Sequence, residues 1–156
     1  MFVTLFSLPL WNDTWIFAGK AVSRGCLNSA KWLLHRFPNK RVYKYIIIEA
    51  ARREQIGILE MLKEFSYSMF MTRSDYATSA CVIYGRIESM KWLVANGSKL
   101  YGDLIRAAVF KNSVEFVLWL LENNCPLPKF VCILHSEVEM LDILKKYPEI
   151  KILYDD

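Results

Sequence analysis

An internal repeat constrains this chain more than any other feature. Two small or apolar residues, a short polar break and an apolar run recur four times. The copies are Ala21-Val22-Ser23-Arg24-Gly25-Cys26-Leu27, Ala50-Ala51-Arg52-Arg53-Glu54-Gln55-Ile56, Cys81-Val82-Ile83-Tyr84-Gly85-Arg86-Ile87 and Ala108-Val109-Phe110-Lys111-Asn112-Ser113-Val114. A fainter fifth copy is Cys132-Ile133-Leu134-His135-Ser136-Glu137-Val138, and successive copies lie 29, 31, 27 and 24 residues apart. The residues that follow align as well: Ala30-Lys31-Trp32-Leu33, Leu59-Glu60-Met61-Leu62, Met90-Lys91-Trp92-Leu93, Val117-Leu118-Trp119-Leu120 and Leu141-Asp142-Ile143-Leu144. Three of the five tryptophans thus share one repeat position, which predicts indoles packed in a core.

Within each copy the apolar residues follow helical spacing. Leu27, Ala30, Leu33 and Leu34 lie on one face of a 3.6-residue period, as do Ile87, Met90, Leu93 and Val94, and Val114, Val117, Leu120 and Leu121. The small pair upstream suits a second, closely packed helix. Gly25, Gly85 and Asn112 supply the geometry that reverses the chain between the two, while Glu54 stands where a turn glycine is expected. Phe37-Pro38, Asn96-Gly97, Asn123-Asn124-Cys125-Pro126 and Tyr147-Pro148 are stop signals for the second helices. One such pair cannot bury its own apolar stripe, so neighbouring pairs must stack. The expected fold is all-α, a short α-solenoid of stacked helix-turn-helix units. About five units span residues 14–148, with residues 1–13 as an N-terminal capping segment and 149–156 as a C-terminal tail.

The copy Tyr84-Gly85-Arg86-Ile87-Glu88-Ser89-Met90-Lys91-Trp92-Leu93-Val94-Ala95-Asn96-Gly97 resembles an ankyrin repeat. It is most like the divergent, tryptophan-rich ankyrin repeats of large DNA viruses of amoebae. Leu121-Glu122-Asn123-Asn124-Cys125-Pro126 resembles the loop that follows the second helix in such repeats. The chain departs from the family in two respects. No unit opens on Thr-Pro-Leu-His, and every period is shorter than the usual 33 or so residues, so the inter-unit β-hairpin should be shortened or lost. Tetratricopeptide and pentatricopeptide repeats fit the period and motif less well.

The resemblance implies a non-enzymatic, intracellular scaffold for protein–protein interaction and, through its viral likeness, one that engages host or viral partners. It places the variable contact surface on the two residues before each turn: Ser23 and Arg24, Arg52 and Arg53, Ile83 and Tyr84, Phe110 and Lys111. Arginine, aromatics and aliphatics of this kind are enriched at interface cores. Two alternatives stand beside it. One is a structural or assembly component of a virus particle. The other is a nucleic-acid-binding module using the basic segment 36–53, although a solvated inter-repeat loop explains that segment more simply.

Composition limits the remaining classes. The chain has 156 residues, 54% of them hydrophobic, enough for one core without disulfides or metal. A net charge of +4 is too mild to argue for nucleic acid by itself, but it is unevenly spread. Arg36, Lys40, Arg41, Lys44, Arg52 and Arg53 face Glu49 alone, whereas acids outnumber lysines from Glu137 onward. Met1–Trp11 lacks the basic start and cleavage site of a secretory signal, and no apolar run reaches the length of a membrane span. The four cysteines are therefore expected to be reduced and mostly buried. No phosphate loop, nucleophile elbow or paired-histidine motif occurs. Cys125, Cys132 and His135 form the one metal-like cluster, and it lacks a fourth ligand. No cofactor, metal or small-molecule substrate is expected.

Overall fold

The structure is a computed structural model that describes residues 14–134 and 137–155. Among these lie nine helices and two strands: α1 Thr14–Ser23, α2 Leu27–Arg36, α3 Lys40–Arg52, α4 Ile56–Phe65, α5 Tyr67–Tyr84, α6 Ile87–Ala95, α7 Gly102–Phe110, α8 Val114–Glu122, β1 Phe130–Leu134, α9 Val138–Leu144 and β2 Lys151–Asp155. The capping role expected of residues 1–13 lies outside the described residues.

The elements follow from the repeated pattern. In α1, α3, α5 and α7 the two residues that open each repeat copy are buried: Ala21 and Val22, Ala50 and Ala51, Cys81 and Val82, Ala108 and Val109. Small side chains there let α3 lie against both α1 and α5, and α7 against α5. The partner helices α2, α4, α6 and α8 pack on α1, α3, α5 and α7 respectively. They bury Leu33 and Leu34, Leu59 and Leu62, Met90 and Leu93, Val117 and Leu120. One contiguous apolar core results. Tyr43 is fully buried within it and donates its hydroxyl to the Leu62 carbonyl at 2.7 Å.

The reversal inside each pair uses one device four times. Gly25, Glu54, Gly85 and Asn112 all have positive φ, between 48° and 65°. Each of their N–H groups bonds back to the carbonyl three residues earlier: Val22, Ala51, Val82 and Val109. The next residue's N–H bonds to Ala21, Ala50, Cys81 and Ala108 in turn. This is the double bond of a Schellman helix end, which a left-handed residue permits. Glu54 adopts the conformation as the glycines do, against its side-chain sterics.

The fold is mostly helical but not wholly so, and the fifth copy is where it departs from the all-α expectation. Its first element is a strand, β1, which packs on α7 where another helix would have stood. The residues explain the difference. Phe130-Val131-Cys132-Ile133-Leu134 alternates, burying Val131 and Ile133 and exposing its other three residues. That is a two-residue period, suited to β-branched residues on a half-buried face. The segment expected as a C-terminal tail contains β2, which pairs in parallel with β1, Phe130 opposite Lys151 and Leu134 opposite Asp155. Helix α9 supplies the crossover that parallel strands need.

The tryptophan position also differs from expectation. Trp32 is 55% exposed, and Trp92 and Trp119 are only half-buried. The leucine that follows each of them, Leu33, Leu93 or Leu120, points into the core instead. The indole thus lies at the flank of the apolar stripe rather than at its centre.

Candidate functional site

The two residues between each buried pair and each left-handed turn end the first helix of a unit. Helical geometry turns them away from the core once the preceding pair is buried. The eight residues expected at the contact surface all fall at these ends. Ser23, Arg24, Arg53 and Lys111 are exposed, and Arg52 is half-buried. Ile83, Tyr84 and Phe110 are exposed by 46%, 48% and 78%, although all three are large and apolar. Large apolar side chains thus stand at the surface at this position in the third and fourth copies.

The best-defined part of this row spans the boundary between the second and third units. Glu49, one turn before the end of α3, is 7% exposed and accepts from Arg52 Nη2 and, at 3.3 Å, from Arg53 Nε. The hydrogen bond to Glu49 raises the Arg52 pKa further, so this guanidinium is always charged. Arg52 sits 5.1 Å from the centre of the Tyr84 ring, a cation–π contact. Arg86 donates from Nε to the Arg52 carbonyl at 2.9 Å. One buried carboxylate thus fixes two arginines, and one of them is pinned to the next unit through both side chain and backbone. Ser23 is tied more locally, donating to the Lys20 carbonyl at 3.0 Å.

Glu49 and Arg86 were not among the expected contact residues. Glu49 was visible in the sequence as the lone acid of the basic segment, three and four residues before Arg52 and Arg53, the spacing of a helical ion pair. Arg86 carries no such signal, because its partner is a backbone atom 34 residues away in the chain. At the other end of the row, Arg24 borders a concavity of about 520 Å³ together with Phe17, Cys26 and Trp32. Trp32, expected in the core, therefore belongs to this surface.

The cysteines divide evenly rather than being mostly buried. Cys81 and Cys125 are buried, while Cys26 and Cys132 are exposed. Burial pushes the Cys81 thiol up to about 12 and the Cys125 thiol up to about 11. Cys125 donates to the Tyr101 carbonyl at 3.4 Å. Cys132 lies on β1, and His135 falls outside the described residues. No group of three or more potential metal ligands occurs among the described residues, and no described helix is long and apolar enough to cross a membrane. Comparison with known protein families, curated proteins and solved structures returns no match to this chain.

Proposed function

We propose that this chain is an ankyrin-like solenoid that works without catalysis, holding another protein along the row of first-helix ends. One observation carries the reading. In four successive units the same two positions, placed between a buried pair and a left-handed turn, turn outward. They present arginine, tyrosine, isoleucine and a largely bare phenylalanine. Arginine and tyrosine are the residue types that most often dominate interface energetics, and the Glu49 network holds Arg52 and Arg53 in place before any partner arrives. Pre-ordered side chains lose less entropy on binding. Such a scaffold would act inside a cell, engaging host or viral partners if the chain is viral.

The test is affinity capture from the native cell with the wild-type chain and with an Arg53→Ala, Tyr84→Ala double variant. Proteins retained by the first and lost by the second, with helicity unchanged and capture insensitive to nuclease, support the proposal. Equal capture by both overturns the assignment of this face. Capture abolished by nuclease and falling steeply with salt supports nucleic-acid binding instead.

A further inference from the structure

A second surface stands apart from the row. The short connection between α2 and α3 forms, with the middle of α5, an open concavity of about 660 Å³. Its walls carry four cations from two distant parts of the sequence: Arg36 at the end of α2, Lys40 and Arg41 at the start of α3, and Arg73 from α5. Each of the described ion pairs lies elsewhere, on Glu49, Glu88, Asp103 or Asp142, so none of these four is neutralised by one. Holding four like charges around one concavity costs electrostatic energy that an anion would offset. The site does not rest on the N–H groups of a helix start alone. Asn39 already accepts the Arg41 N–H at 2.8 Å, capping α3 with its own side chain, which leaves recognition to the basic groups.

We infer that this concavity binds a phosphorylated side chain of a partner protein. Three arginines and one lysine suit a phosphate monoester, since guanidinium forks engage its oxygens in pairs and the group carries close to two charges. Local geometry disfavours a nucleic-acid strand. Single strands are held by open aromatic faces along a continuous basic groove, but here the Phe37 ring lies under Arg36, and the nearby Tyr76 ring under Lys44 at 3.5 Å. The sequence showed the basic stretch around Arg36–Arg41 but gave no sign of Arg73, which only the packing of α5 beside α3 brings in.

The experiment is a nuclear magnetic resonance titration of the isotopically labelled chain with three probes. These are a short glycine-rich peptide carrying one phosphoserine, its unphosphorylated twin, and a mixed-sequence single-stranded oligonucleotide of twelve bases. The expected result is a set of shifts confined to residues 36–42 and Arg73 with the phosphopeptide and absent with its twin. Arg73→Gln and Lys40→Gln should each weaken the phosphopeptide about tenfold with spectral dispersion retained, the loss of one charge-assisted hydrogen bond. The Arg53→Ala, Tyr84→Ala variant should bind the phosphopeptide as wild type does, which separates this site from the row. Equal shifts from both peptides, shifts scattered over lysines and arginines elsewhere, or an Arg73→Gln variant binding as well as wild type would each overturn the inference. So would an oligonucleotide that binds more tightly than the phosphopeptide at the same salt.

Discussion

The Arg52 guanidinium lies 5.1 Å from the centre of the Tyr84 ring, joining the end of α3 to the end of α5. The same arginine is held from behind by Glu49, a carboxylate with little access to water. These contacts should be separable by energy. A double-mutant cycle of Arg52→Ala and Tyr84→Ala should give a coupling of about 0.5–1 kcal/mol, as for a partly exposed cation–π pair. Additive losses would mean that the two side chains do not interact in solution.

Glu49→Gln should cost more than breaking any of the exposed ion pairs among the described residues. Because Glu49 serves two arginines from a buried position, its neutralisation should lower stability by about 1–2 kcal/mol in urea unfolding. Glu88→Gln, which breaks only the exposed pair with Lys91, should cost under about 0.5 kcal/mol. A reversed order would show that the Glu49 pairs contribute nothing net.

The turn positions make opposite predictions at Glu54 and Gly85. Glu54 is held at a φ of 54°, a region that costs an ordinary L-residue about 1–2 kcal/mol. Glu54→Gly should therefore stabilise the protein by about 0.5–1 kcal/mol, once the added freedom of the unfolded chain is subtracted. Gly85 has a φ of 65° and open space around a would-be Cβ, so Gly85→Ala should cost about 1 kcal/mol through backbone strain alone. Thermal unfolding of the two variants checks both signs.

The tryptophans should differ despite sharing a repeat position. Trp92 packs edge-on against the buried Phe70, with ring centres 5.9 Å apart. Trp32 meets Phe37 at 6.4 Å but keeps more than half its surface in water. Trp92→Ala should cost about 2–4 kcal/mol, below the loss for a fully buried aromatic, and Trp32→Ala under about 1 kcal/mol. Comparable losses would place Trp32 in the core after all.

The sequence made the buried pairs and the turns legible because both depend on local rules. A small pair before a left-handed residue is fixed by backbone sterics, and even Glu54 follows the pattern of Gly25 and Gly85. The tryptophans misled because repetition reveals an equivalent position without saying which way it faces. One residue of helical rotation, about 100°, separates the flank from the centre of the stripe, and Leu33, Leu93 and Leu120 hold the centre. The strand β1 was hidden for a related reason. Cys132-Ile133-Leu134 matches the apolar start of a repeat copy, yet Val131 and Ile133 alternate with exposed neighbours, and the pairing partner lies 21 residues onward at Lys151–Asp155. Contacts across units, such as Arg86 on the Arg52 carbonyl, leave no periodic trace at all.

The buried thiols give a prediction in pH. Burial raises Cys81 to about 12 and Cys125 to about 11 from an ordinary value near 9, and it raises the Tyr43 hydroxyl as well. In the unfolded chain these groups lose their protons near pH 9–10, whereas in the folded protein burial makes them hold on to a higher pH. The unfolded state thus binds fewer protons above about pH 9, and stability must fall as pH rises. Their full contribution is present below pH 9 and drains away toward pH 11–12. Urea midpoints measured from pH 8 upward should decline, and Cys81→Ala should flatten part of that decline. In the native state a thiol reagent should modify exposed Cys26 and Cys132 quickly and reach Cys81 and Cys125 only on unfolding. If all four react together under native conditions, the two thiols placed in the core are not buried, and the alkaline slope loses its cause.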